Sequence, residues 1–205
     1  MALLLIKDEP EFKLGIWKIE EQMSFFADQI PFQSGASHVS RQIQQLATRY
    51  LLHFLHKDFP FTAIEVNEAG KPSVQNSKLQ FNLSHTHTLA VAILSDSQSV
   101  GVDAEKINSR VLKIQHKFIN EVEAANLVGK TETEQISILT KYWTIKEAVY
   151  KWWGKGSVDF ANDICIQSNA REEEVVKVNF NKENGIALEV NCFQLDEHWI
   201  TYVVQ

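Results

Sequence analysis

No long apolar run occurs in this chain. Its opening apolar stretch, residues 2–6, is too short for a signal core or a membrane span and has no basic residue before it, so a cytoplasmic protein with no membrane contact is expected. Only 8 Gly and 4 Pro occur in 205 residues, and no region is low in complexity, which excludes collagen-like, linker-dominated and disordered chains. The two cysteines, Cys165 and Cys192, lie far apart without a CxxC or histidine-rich context, so buried structural thiols are expected rather than a zinc site or a redox pair. Basic residues are in the minority, 20 Lys plus Arg against 26 Asp plus Glu. The net charge of −6 argues against a whole-surface nucleic-acid binder. An anionic ligand must therefore be met by local cations.

What is present is the composition of a folded protein of one or two domains, 44% hydrophobic and 22% charged. Between residues 37 and 56, Ile43, Leu46, Ala47, Tyr50, Leu51, Phe54 and Leu55 recur at helical spacing, which predicts an amphipathic helix with Ser37 as N-cap. Short strand-like segments follow at 63–66, 79–83 and 89–94, punctuated by turn signals. The order then repeats. Val100-Gly101-Val102 reads as a buried strand, and helical periodicity follows over 110–118 and 121–127. A long helix is predicted over 133–153, ended by Gly154-Lys155-Gly156. Four strands are predicted after it, at 164–167, 175–180, 186–192 and 199–204. Helix followed by strands, twice, points to α+β architecture in two halves, 1–99 and 100–205.

Three segments carry chemistry. At the end of the Val100 strand, alternation puts Asp103 and Glu105 on one side and Ala104 on the other. An isolated pair of this kind is also what a solvated strand end looks like. In the long helix Trp143, Glu147 and Lys151 are spaced by four and form one stripe, with Lys146 beside it. A surface Glu–Lys pair would contribute only about 0.3–0.5 kcal/mol. Here the remaining faces hold Tyr142, Ala148 and Trp152, so the helix reads as largely buried, where acids and lysines need a reason to exist. The third segment is Phe81-Asn82-Leu83-Ser84-His85-Thr86, preceded by Gly70-Lys71-Pro72. His85 and His87 lack a third ligand at metal spacing, and the alternatives are a phosphate-facing Ser84-His85 turn or a core histidine satisfied by backbone.

Taken together, these motifs resemble the 4'-phosphopantetheinyl transferases of the Sfp type. The family pattern is Gly-Val-Asp-x-Glu followed by Trp-x-x-Lys-Glu-Ala-x-x-Lys, which Gly101-Val102-Asp103-Ala104-Glu105 and Trp143 through Lys151 fill. Gly70-Lys71-Pro72, Phe81-Asn82-Leu83-Ser84-His85 and Gly154-Lys155-Gly156 match further family motifs in order. The resemblance covers residues 41–157; the stretches before and after it, 1–40 and 158–205, carry no such signature.

The resemblance implies two similar α+β halves in a pseudo-twofold arrangement, with the active site in the cleft between them. It implies transfer of the phosphopantetheine arm of coenzyme A to a serine of an acyl or peptidyl carrier protein, in fatty-acid or secondary-metabolite synthesis, with release of adenosine 3',5'-bisphosphate. Asp103, Glu105 and Glu147 would be ligands of Mg2+, with Mn2+ as an alternative. Three carboxylates and a pyrophosphate carry about five negative charges against two on the ion, so further cations are needed, and Lys71, Lys146 and Lys151 are the candidates. Lys151 would neutralise charge on the transferring group; Glu147, or a water on the metal, would take the serine proton. His85 joins Glu147 and Lys151 as a catalytic candidate by motif. The coenzyme A contacts would be Arg41, Arg49, Lys71, Pro72, Ser84, His85, Asp103, Lys146 and Lys151, the arginines suiting the 3'-phosphate, although both are equally at home as exposed helix residues.

Arg110, Lys113 and Lys117 are expected on one helix face, beside Val111, Ile114 and Phe118, as a docking surface for an acidic carrier. The same face reads equally as an ordinary amphipathic helix. A chain holding both halves of a cleft has no need to dimerise, so a monomer is expected. Two other functions remain open on sequence alone, a non-catalytic carrier-binding relative and a magnesium-dependent nucleotide pyrophosphatase.

Overall fold

The computed structural model describes residues 2–167 and 173–205. The chain divides into two compact units, Met1–Val102 and Asp103–Gln205. Both combine sheet and helix, the α+β class read from the sequence.

The first unit opens with a hairpin of β1 (Leu3–Asp8) and β2 (Lys13–Lys18), in the stretch that carries no motif. A short α1 (Met23–Ala27) and the long α2 (Val39–Leu55) follow. A small hairpin comes next, β3 (Ile64–Val66) with β4 (Pro72–Val74), and then β5 (Gln80–His85) and β6 (Leu89–Ser95). The four-stranded antiparallel sheet runs β1-β2-β6-β5. β6 is central and buried at every position, which is why it reads as an unbroken apolar run rather than an alternating one. α2 packs on β6 and β2 through Ala47, Leu51 and Leu55. Gly15 in β2 permits the approach, since a Cβ there would stand 2.9 Å from Leu51 Cδ1 and 3.2 Å from both terminal methyls of Leu55. The helix starts later than its periodicity predicts. His38, not Ser37, is the extended N-cap residue, and Ser37 stays exposed without capping, while the Gln42 amide reaches back to Ala36 O at 2.7 Å.

In the second unit, β7 (Val100–Lys106) carries the chain across the division. After it come α3 (Arg110–Ile114), α4 (Glu121–Ala125), the 22-residue α5 (Glu132–Trp153), β8 (Ile164–Ile166), β9 (Val175–Phe180), β10 (Ile186–Leu195) and β11 (His198–Val204). The sheet order is β7-β11-β10-β9-β8. α5 is bounded as a helix should be. A capping box joins Thr131 and Glu134 at its start, and Gly154 at φ 64° closes its end in the left-handed region. Leu139, Ile145 and Val149 of α5 share one core with Val178, Phe180, Leu188 and Val190 of the sheet, each side chain contributing roughly 1.5–3 kcal/mol on burial. Thr201 Oγ donates to the Thr144 carbonyl at 2.7 Å, seating α5 on β11. The continuous helix expected over 110–118 does not form. α3 stops at Ile114, a 3₁₀ turn covers Gln115–Lys117, and Phe118 turns fully inward, so Lys117 is not on the helical face of Arg110 and Lys113. No helix among the described residues is long and apolar enough to cross a membrane.

Candidate active site

Asp103 and Glu105 are the outer members of Asp103-Ala104-Glu105 in β7, and Ala104 is buried between them on the opposite face. Just before the acids, the Val102 N–H donates to Oδ1 of Asn82 in β5, a buried amide, at 3.2 Å. Asn82 was legible only as part of a motif; its service to β7 was not.

From α5 come Trp143, Glu147 and Lys151, one residue per turn on a single stripe. Lys151 Nζ lies 2.6 Å from Asp103 Oδ1, a carboxylate only 4% exposed. Trp143 Nε1 donates to Glu105 Oε1 at 3.3 Å, and its ring is flanked by Phe118 and Phe160 at centroid distances of 5.1 and 5.5 Å. Burial, then the charge of Asp103, pushes the Glu105 carboxyl up to about 7, against the pull of Trp143, Lys151 and Arg110. Glu147 is also pushed up to about 7, first by burial and then by Asp103 and Glu105, with Lys151 opposing. The three acids therefore feel one another across a poorly hydrated site.

Among the described residues, no group of three or more His, Cys, Asp or Glu side chains is already disposed around a metal position. The donor set is nonetheless that of a hard divalent ion, all carboxylate oxygen, with two members raised towards neutrality by burial and by the neighbouring carboxylates. Lys151 supplies countercharge on Asp103. The residues fit such an ion in chemistry, and Asp103, Glu105 and Glu147 are the side chains that would hold it.

Lys146 corrects the sequence reading. It was expected to meet phosphate, but it is 0% exposed, and its ammonium donates to Glu123 Oε2 at 2.7 Å and to the Phe160 carbonyl at 2.9 Å. The reason is angular. Adjacent helix residues point about 100° apart, so with Glu147 on the acidic stripe Lys146 faces the packed interior. Its partner Glu123 is equally buried and accepts from Asn120 N and Ile166 N as well. Sequence reasoning passed over Glu123. The available signal was Asn120-x-x-Glu123, a capping-box spacing, which the structure forms.

The remaining sequence candidates lie in the first unit. Arg41 is exposed on α2. Arg49 is half-buried, with its guanidinium carbon 4.0 Å from the Phe32 ring centroid and Nη1 donating to Gln45 O at 3.1 Å. Burial lowers the Lys71 ammonium to about 8, and the turn before it is fixed by Asn67 Oδ1, which accepts the Lys71 N–H at 2.8 Å. Pro72 opens β4, while Ser84 and His85 close β5, the serine buried and the histidine half-buried. Neither thiol forms a disulfide: Cys192 is buried, as expected, and Cys165 is only half-buried.

In comparisons with known proteins, the sequence model described as the 4'-phosphopantetheinyl transferase superfamily matches residues 99–203. The 4'-phosphopantetheinyl transferase gsp of Aneurinibacillus migulanus is 33% identical over 149 residues, covering 73% of this chain and 62% of that protein. The 4'-phosphopantetheinyl transferase Sfp of Bacillus subtilis strain 168 is 33% identical over 90 residues, covering 43% and 40%. The 4'-phosphopantetheinyl transferase AcpT of Escherichia coli O157:H7 is 32% identical over 117 residues, covering 56% and 59%. The chain thus spans about 40–62% of the length of these relatives.

Proposed function

This chain belongs to the 4'-phosphopantetheinyl transferase superfamily, and from that premise we propose that it transfers the 4'-phosphopantetheine arm of coenzyme A to a serine of an acyl or peptidyl carrier protein, releasing adenosine 3',5'-bisphosphate. The observation that carries the reading is that the α5 stripe meets both acids of β7, with Lys151 2.6 Å from Asp103, Trp143 3.3 Å from Glu105 and Glu147 between them on the same stripe.

In this reading Asp103, Glu105 and Glu147 hold a magnesium ion, which when bound supplies charge neutralisation for the pyrophosphate of coenzyme A. Lys151 has the length and charge to follow the phosphate oxygens as negative charge builds on them. Glu147, on the same stripe as Lys151, takes the proton of the incoming serine hydroxyl. Lys71, with its partly desolvated ammonium, and Arg49 supply cationic contacts to the phosphates of coenzyme A, with Arg41, Pro72, Ser84 and His85 as further contacts.

Beside Glu105 a cavity of about 370 Å³ is lined by Arg110, Val111, Ile114 and Trp143. A cation over an apolar wall suits the acidic, partly apolar surface of a carrier domain, and we place the carrier there, with Lys113 exposed on the same short helix. The chain acts in this reading as a cytoplasmic monomer.

Incubation with coenzyme A, magnesium and an apo-carrier tests the function by intact mass. Gain of one phosphopantetheine on the carrier is expected. Bisphosphate release without that gain would make the protein a pyrophosphatase, and no reaction would leave it a binder.

A further inference from the structure

Two buried charges outside the acidic stripe have no part in that chemistry, yet they are wired to it. Glu123 and Lys146 are both 0% exposed and joined at 2.7 Å, and each bonds to more than its partner. Glu123 ties the start of α4, through Asn120 N, to β8, through Ile166 N. Lys146 ties α5 to the turn after it, through the Phe160 carbonyl at 2.9 Å. The ring of that same Phe160 lies against the Trp143 indole, whose N–H holds Glu105. Phe118, fully buried and two residues before Asn120, packs edge-on against the same indole. So the backbone anchored by the ion pair carries both aromatic walls of the slot in which Trp143 sits.

We propose that Glu123 and Lys146 are positioning residues: by fixing Phe160 and the start of α4 they hold Trp143 in its slot and thereby set the orientation of Glu105. The consequence for metal affinity rests on the reading of Glu105 as a ligand; the coupling itself does not. Outer residues that orient a ligand commonly change metal affinity by about 10–100-fold when replaced, without touching the ion.

The test uses the metal-free full chain and follows the indole N–H of Trp143 by NMR, identified by its loss in Trp143→Phe. Glu123→Gln keeps shape and removes charge. In the folded variant, the indole proton should exchange with solvent about tenfold faster than in the wild type. Exchange within about twofold of wild type overturns the coupling. Phe160→Leu leaves the ion pair in place and removes one wall of the slot, and decides the matter if Glu123→Gln does not fold. Faster exchange is expected again, and an unchanged rate overturns the proposal. Calorimetric titration with magnesium then reads the consequence, an affinity weakened by about tenfold in either variant. Undiminished affinity in variants with a loosened indole overturns the link to Glu105. A wild-type chain that binds no magnesium overturns the metal reading itself, and is told apart because the exchange measurement needs no metal.

Discussion

Lys146→Met separates the two roles open to this lysine most sharply. Methionine matches the length of the stem and removes the ammonium, leaving Glu123 at 0% exposure with two backbone donors but no cation, and the Phe160 carbonyl without its 2.9 Å partner. Removing one member of a buried, hydrogen-bonded ion pair typically costs about 3–5 kcal/mol, because the remaining charge has neither water nor a partner. At about 2–4 °C per kcal/mol for a chain of this size, the melting temperature should fall by roughly 6–20 °C. Adding Glu123→Leu to Lys146→Met removes the stranded charge and should recover most of the loss, as apolar replacement of buried ion pairs commonly does. Thermal unfolding by circular dichroism reads both the single and the double variant, and calorimetry reads coenzyme A affinity at a temperature where each is folded. Measured without magnesium, so that any effect through Glu105 is left out, coenzyme A affinity should stay within about twofold of wild type, since a group with no solvent exposure has no path to a phosphate. A variant of unchanged stability whose affinity for coenzyme A falls about tenfold or more would refute the reasoning and return Lys146 to the phosphate site.

Asp103→Ala and Glu147→Ala should each lower transfer to an apo-carrier by on the order of 10²–10³-fold or more with the far-ultraviolet spectrum unchanged, and full activity in either would contradict the site. Glu105 and Glu147 are raised in the folded state from 4.5 to about 7, so the native protein binds more protons than the unfolded chain across that interval and stability falls as pH rises through it. Millimolar magnesium should therefore raise the melting temperature more at about pH 7.5 than at about pH 5, and equal shifts would count against ligation by these acids. Gly15→Ala presses a methyl into Leu51 and Leu55 and should cost about 1–3 kcal/mol in urea unfolding, with unchanged stability refuting the close approach of α2. Charge reversal at Arg110 and Lys113 should raise KM for the carrier and leave that for coenzyme A alone; an unaltered carrier KM would remove the docking surface.

Much of the candidate site was legible because it depends on short-range periodicity. Alternation in β7 sets Asp103 and Glu105 together, and four-residue spacing sets Trp143, Glu147 and Lys151 on one stripe, whatever surrounds them. The bounds of α5 were equally local, a left-handed Gly154 ending the helix where two glycines had signalled it. The break after Ile114 was not, because the pattern of apolar residues over 110–118 suits a helix and only the inward turn of Phe118 against Trp143 interrupts it. Nor was the N-cap of α2, where Ser37 carries the preferred side chain but the extended residue is His38.

By itself, then, the order of residues determined which acids could share a stripe or a strand face, and which family pattern they complete, since both are properties of neighbours along the chain. Only the tertiary structure decided that Lys146 turns inward to Glu123 while Lys151 turns to Asp103, though both lysines stand in one motif. Helical spacing states the angle between two side chains; which side of the helix is covered depends on α4, β8 and the turn at Phe160, and these are brought to it by packing.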